Sequence, residues 1–265
     1  KRLVPPQART LCPPAGQAGI RRQMEQLKRE YEKQDRMRRD FTANVSHELK
    51  TPLTSISGYA EIIREGMVKS EDVGRFAGKI YEEAQRLITL VEDILNLSHL
   101  DEGAPGQERR QGIDLYALCE RAVASLAEAA RQRGIAISLT GSRQRVDGAE
   151  KLLAEIIFNL CDNAIKYNQE NGHVAVSVTR EGDRVVLTVQ DTGIGIPPGE
   201  TDRVFERFYR VDKSHSKEIG GTGLGLSIVK HAAAYHDAKI QLDSQLGRGT
   251  RVRVLFPLSQ KEAQP

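Results

Sequence analysis

The sequence predicts a multidomain chain: an all-α helical hairpin that pairs with a second copy into a four-helix bundle, followed by an α/β sandwich. Over roughly the first hundred of the 265 residues, apolar side chains recur at helical and heptad spacing. Beyond residue 113, short runs of period two alternate with shorter amphipathic stretches. Between them, EGAPGQERRQG from Glu102 to Gly112 loses all periodicity to Gly, Pro and charge. The expected division is a linker over 1–19, the hairpin over 20–102, a second linker over 103–112, the sandwich over 113–259 and a tail over 260–265.

Residues 1–19 carry Pro5, Pro6, Pro13 and Pro14 with no apolar period. From Ile20 the steps to Met24, Leu27 and Tyr31 open one long helix, expected to reach about Gly66. Ser70 is a candidate N-cap for a second helix, in which Val73, Ile80, Leu87 and Ile94 form one seam and Ala77, Ala84 and Val91 another. Two such helices cannot bury these seams alone, hence the expected dimer. Farther on, Asp114 should cap a helix containing Leu115, Leu118, Val123 and Leu126, and GIAISLT reads as a strand. A helix is expected from Ala149 to Tyr167, and HVAVSVTR and RVVLTVQD form two strands turning at Glu181 to Asp183. A last helix from Gly225 and two strands joined at GRG complete the pattern.

Hydrophobic residues make up 39% of the chain, enough for ordinary cores, and no run approaches the roughly 20 apolar residues of a membrane span. The net charge of +3 is too small to imply nucleic acid. It is uneven, with eleven Lys or Arg against four Asp or Glu in residues 1–39, a balance that suits either anionic lipid or a solvated helix face. Cys12, Cys119 and Cys161 are far apart, which argues against a zinc site or disulfide framework, and Cys161 lies in an apolar helix where it packs.

The segment FTANVSHELKTP, Phe41 to Pro52, concentrates chemistry on the first helix. Phe41, Val45 and Leu49 define a buried stripe, and His47, about 200° from Val45 and Leu49, faces outward. A lone helical histidine is more often a surface residue than a catalyst, but this one has useful neighbours. Attack by one imidazole nitrogen requires the other to share its proton, which Glu48 can accept. Thr51, one turn on, places a hydroxyl on the same face. Pro52 removes a helical hydrogen bond and is a candidate hinge.

In the second domain, AEIIFNLCDNAIKY sets Glu155, Asn159, Asn163, Lys166 and Tyr167 at helical spacing. Amide oxygens suit Mg²⁺ bridging phosphates, and Lys166 can neutralise them. In DTGIGIP, Asp191 ends a strand, where a carboxylate can accept a hydrogen bond from a purine amino group, with Gly193 and Gly195 letting backbone pass close to a flat base. GGTGLGLSIVKH brings Gly221, Gly223 and Gly225 into a helix start suited to an anion, without the GK[ST] of a P-loop. The charged stretch VFERFYRVDKSHSKEIG between them reads as a lid, anchored by Phe205 and Phe208.

The string SHELKTPL resembles the phosphoacceptor box of two-component sensor histidine kinases, and FTANVSHELKTPLTSISGYAEII is most similar to the phosphate-sensing PhoR subgroup. The later segments resemble the N, G1, F and G2 boxes of the Bergerat-type ATP fold, so the likeness covers about Arg21 to Leu258. It implies an ATP-dependent kinase that phosphorylates His47 with Glu48 as general base, and passes the group to an aspartate of a response-regulator receiver. Glu48 and Thr51 would serve dephosphorylation of that partner. It also implies Mg²⁺ at Asn159, nucleotide contacts from Asn163, Lys166 and Tyr167, and adenine at Asp191. A cradle of Gly193, Gly195, Gly221, Thr222, Gly223, Leu224 and Gly225 is closed by Thr250, under a lid of Phe205, Phe208 and Arg210. A homodimer is implied, as is the cytoplasmic portion of a membrane-anchored bacterial protein. One departure is Asp237, where the family has Gly. The competing readings are an ATPase clamp using Glu155 to activate water, and an inactive scaffold.

Overall fold

The computed structural model describes residues 15–101, 108–211 and 221–259. The expected linker over 1–14 and 103–107, the outer part of the lid and the tail over 260–265 lie outside the described residues. Two compact units divide at His47 and Glu48. The first holds the leading part of α1 (Ala15–Arg64), which starts ahead of the expected Ile20 because Ala15, Gln17 and Ala18 are good helix formers. In it Phe41 and Val45 are half-buried and His47 is exposed.

In the second unit α1 continues as one helix with Pro52 inside it. Nearby carbonyls are taken by hydroxyls: Thr54 Oγ1 donates to Lys50 O at 2.8 Å and Ser55 Oγ to Thr51 O at 3.3 Å. The helix ends in a Schellman turn, Met67 N–H to Ile62 O at 3.0 Å and Gly66 N–H to Ile63 O at 3.1 Å, with Gly66 at φ 68°. A 3-10 turn over Ser70–Asp72 follows, and its N-cap position is Lys69 rather than Ser70. It leads into α2 (Val73–Asp101), and Tyr59 meets Phe76 edge-on at 5.7 Å across the turn.

The deepest residues of α2 are Leu90, Leu97 and Leu100, not the expected seams. They share one face with Asp93, and α2 packs against a helix of the following domain.

That domain begins with β1 (Arg110–Asp114), so residues 110–112 are strand rather than linker. β1 pairs antiparallel with β3 (Arg145–Gly148), which the sequence reading lacked. Each strand has one core apolar residue, Ile113 facing Val146, too few for an alternation to show. Gly112 N–H and Ser259 Oγ both donate to Asp147 Oδ1, at 2.8 and 2.6 Å, tying the entry and exit of the domain together.

The main sheet contains β2 (Ala136–Gly141), β4 (His173–Glu181), β5 (Arg184–Asp191), β6 (Lys239–Gln245) and β7 (Gly249–Pro257), in the order β2-β4-β5-β7-β6. Only β2 and β4 run parallel. The helical layer is α3 (Leu115–Gln132), α4 (Glu150–Lys166) and α5 (Gly225–Tyr235), with α4 in the middle. Asp114 caps α3 as expected, its Oδ1 accepting from Ala117 N–H at 3.1 Å. Val174, Val176 and Val178 of β4, Leu187 and Val189 of β5, and Val252, Val254 and Phe256 of β7 meet Leu153, Ile156, Ile157 and Leu160 of α4 in one core. Each such side chain contributes about 1.5–3 kcal/mol on burial. Cys119 and Cys161 are free and buried there, and burial pushes the Cys161 thiol up to about 12, so both simply pack.

His236 joins the start of α4 to the end of α5. Ala149 N–H donates to its Nε2 at 3.0 Å, so the ring proton sits on Nδ1 and goes to Ala232 O at 2.6 Å. The ring is fully buried, edge-on to Phe256 at 6.1 Å, and burial lowers its pKa. The folded state keeps this imidazole neutral while the unfolded chain protonates it at about 6.5, so its stability contribution is complete above that pH and lost as pH falls. His236→Gln should therefore reduce the loss of urea stability between about pH 7.5 and about pH 5.5; parallel pH profiles for both proteins would refute this.

Asp237 follows at φ 53°, the left-handed site that a glycine would occupy without strain. Its 3.7 Å pairing with Arg109 is largely solvent-exposed and contributes little. Asp237→Gly should raise stability by about 0.5–1 kcal/mol, read as a higher urea midpoint at constant slope, whereas an unchanged or lower midpoint would contradict it.

Candidate active site

Most apolar residues of α4 are buried, Phe158 at 46% exposure being an exception, and its less buried side carries Glu155, Asn159, Asp162, Asn163 and Lys166. Asn159 Nδ2 donates to Glu155 O at 2.9 Å, which turns Oδ1 toward the start of α5 at Gly225, with Asn163 Nδ2 beside it. Lys166 Nζ is paired with Asp162 Oδ2 at 2.7 Å and is thereby held along the strip. The Tyr167 hydroxyl lies beside Gly221. These groups converge as the helical spacing predicts.

Asp191 closes the opposite end. Its Oδ1 accepts from Gly193 N–H at 2.8 Å and Thr250 N–H at 3.1 Å, one amide from the turn after β5 and one from β7. Burial raises its pKa, and the two amide bonds oppose that rise. Thr250 Oγ1 meets Ser244 Oγ at 2.8 Å, and Ser244 Oγ accepts from Ile196 N–H at 2.8 Å. The glycine turn is held by Ile194 N–H to Tyr167 O at 3.0 Å and Gly247 N–H to Ile194 O at 2.7 Å. Thr250 thus supports the turn through its amide and its hydroxyl, and Ser244 is a support that no sequence motif marked.

Phe205 ends a 3-10 turn over Arg203–Phe205, and both Phe205 and Phe208 are half-buried. Phe208 sits at φ 61°, an uncommon conformation for a bulky residue. Its N–H bonds Gly223 O at 2.9 Å, while Gly223, at φ 74°, passes so close to the Phe208 backbone that a side chain there would collide. Lid root and glycine cradle are therefore one locked unit. Tyr209 donates to Glu200 under the Arg203 guanidinium, which stacks 4.3 Å from its ring.

Two contacts escaped sequence reasoning, because they join residues far apart in the chain. Arg210 Nη2 donates to Glu48 Oε2 at 2.9 Å; its side chain is 6% exposed and its Nε finds no hydrogen-bond partner. Thr222 Oγ1 donates to Asp93 Oδ2 at 2.7 Å, and accepts from Leu224 N–H at 3.3 Å. Glu155 Oε2 is also buried without a partner. Thr51, like His47, is exposed on α1.

A single Asn159 oxygen beside the cradle suits a hard divalent ion whose other ligands are phosphate oxygens and water. Among the described residues no cluster of three His, Cys, Asp or Glu forms a metal site of its own, and no helix is long and apolar enough to cross a membrane.

Residues 37–103 match the His Kinase A (phospho-acceptor) domain, and residues 148–260 match the histidine kinase-, DNA gyrase B- and HSP90-like ATPase. The sensor-like histidine kinase SenX3 of Mycolicibacterium smegmatis is 40% identical over 86% of this chain and 59% of its own length. The phosphate regulon sensor protein PhoR of Pseudomonas aeruginosa is 37% identical over 85% of this chain and 51% of its own. The chain thus spans little more than half the length of these relatives. The structure of ShkA in complex with AMPPNP, 27% identical, aligns with 82% of this chain and 45% of its own at a TM-score of 0.62. The likeness to PhoR is accordingly shared with SenX3, and this chain belongs to the sensor histidine kinases, with a phospho-acceptor domain followed by the ATPase domain of that family.

Proposed function

We propose that this chain is the catalytic portion of an ATP-dependent protein histidine kinase that phosphorylates its own His47 and passes the group to an aspartate of a response regulator. The observation that carries the reading is the convergence of four separate segments on one cradle. Asp191, oriented by the Gly193 and Thr250 amides, would accept from the adenine amino group. Asn163 and Tyr167 line the path from there to Thr222 and the start of α5, where phosphates would meet backbone amides from Gly221 to Gly225. Asn159 would hold Mg²⁺, which neutralises and bridges the phosphates, with Lys166 adding positive charge alongside.

His47 would be the nucleophile, its exposure allowing the γ-phosphorus to come within about 3–3.5 Å in line. Glu48 would take the imidazole proton, which requires that its carboxylate be released from Arg210. Thr51, one turn on, would position the water that hydrolyses the regulator's phosphoaspartate, giving phosphatase activity.

A second copy of the chain would complete the bundle. Tyr81, Ile88 and Leu95 repeat every seven residues on α2, yet are 66%, 50% and 53% exposed in the single chain, a seam that a homodimer would cover.

Incubation with Mg²⁺ and γ-labelled ATP should leave label that is stable in alkali and lost in acid. His47→Ala should abolish that label while retaining nucleotide affinity, and Asp191→Asn, which sets a donor against the adenine amino group, should weaken ATP binding at least about tenfold. Release of free phosphate with no bound label, or undiminished labelling of His47→Ala, would overturn the reading. For Thr51→Ala, labelling should persist and dephosphorylation of the regulator should slow about tenfold or more; equal phosphatase rates would remove Thr51 from that role.

A further inference from the structure

We propose that Asp93 of α2 acts as an internal substitute for nucleotide phosphate, occupying the anion-binding end of the cradle so that docking of α2 and binding of the triphosphate exclude one another. The inference rests on the ATP-site reading above and goes beyond it, since Asp93 belongs to no nucleotide motif. Three observations carry it.

First, the Thr222 hydroxyl has one proton, and it is given to Asp93 Oδ2 at 2.7 Å. A carboxylate and a phosphate oxygen are both acceptors, so they cannot share that proton. Second, Asp93 lies on the α2 face that carries Leu90, Leu97 and Leu100, the face buried when α2 packs on α5. The carboxylate is delivered to Thr222 by that packing. Third, seating the carboxylate is costly, because burial is the largest influence on Asp93 and favours its neutral form. Lys166 on α4 attracts Asp93, but Lys166 is already bonded to Asp162, and Asp162 on α4 and Glu92 on α2 both repel it. Glu155 on α4 is raised chiefly by burial, Lys151 lowers it by more than Asp93 raises it, and its Oε2 finds no hydrogen-bond partner. Burial disfavours the charged form of both carboxylates.

Apolar contact and one hydroxyl bond thus hold α2 against its own charge. A bound triphosphate would take the Thr222 proton, bring further negative charge toward Asp93 and unseat α2.

The test titrates the full chain with ATP and, separately, with adenosine, which has the same base and no phosphate. Asp93→Ala should tighten ATP about five- to tenfold and leave adenosine unchanged. Asp93→Asn, which keeps an acceptor without the charge, should show a smaller gain in the same direction, and Glu82→Ala, at an exposed position on the same helix, should bind both ligands like the wild type. Unchanged or weaker ATP binding by both Asp93 variants, or an equal gain for adenosine, would overturn the competition while leaving the ATP site standing. A wild type that binds neither ligand would instead overturn the ATP-site reading itself.

Discussion

Burial of α4 on three sides is the constraint from which the site follows. Leu152, Leu153, Ile156, Ile157, Leu160, Cys161, Ala164 and Ile165 must all face the sheet, α3 or α5, and this leaves the helix no rotational freedom. The remaining strip is where Glu155, Asn159, Asp162, Asn163 and Lys166 emerge. A rotation that moved Asn159 away from α5 would expose buried residues such as Leu153, Ile156, Ile157 and Leu160. The core thereby aims the polar groups, and no separate device is needed to orient the helix.

The neighbouring elements are fixed to the same helix by directed bonds. The neutral His236 ring ties the start of α4 to the end of α5, and the Tyr167 carbonyl at the C-terminal end of α4 receives the Ile194 amide of the glycine turn. Asp191 gathers amides from two strand ends, so the position of its carboxylate is set by the β4-β5-β7 register. The positive φ of Phe208 is maintained by its bond to Gly223. Such a conformation costs of order 1–3 kcal/mol and persists because lid root and cradle are locked together. The rigid part of the site is therefore the Asp191 end and the glycine segment leading into α5.

The other side of the cradle is built differently. There α2 contributes leucines and a carboxylate whose burial opposes its charge, with a buried Glu155 oxygen left without a hydrogen-bond partner. If the proposed phosphotransfer holds, an interface at this end that separates readily would let His47 meet the nucleotide and a regulator in turn. α2 has two apolar faces for this purpose: Tyr81, Ile88 and Leu95 on one, Leu90, Leu97 and Leu100 on the other.

The sequence by itself determined most of the local architecture. Helical and heptad spacing defines α1 and α2, period-two runs define β4, β5, β6 and β7, and the Asp114 cap can be read directly, because each of these depends on residues within a few positions of one another. The polar strip of α4 and the turn at Asp191 were legible for the same reason, and so was the resemblance to a kinase family. What only the tertiary structure decided are pairings between distant residues. β1 and β3 each carry too little pattern to be recognised before they meet. The Gly- and Pro-rich composition of the first nineteen residues obscured the early start of α1. The α2 face bearing Leu90 and Leu97 looked secondary to the heptad seams until α5 was seen to cover it. The contacts Asp93 to Thr222 and Glu48 to Arg210 have no sequence signal, since a hydrogen bond between groups more than a hundred residues apart exists only once the core has fixed both backbones.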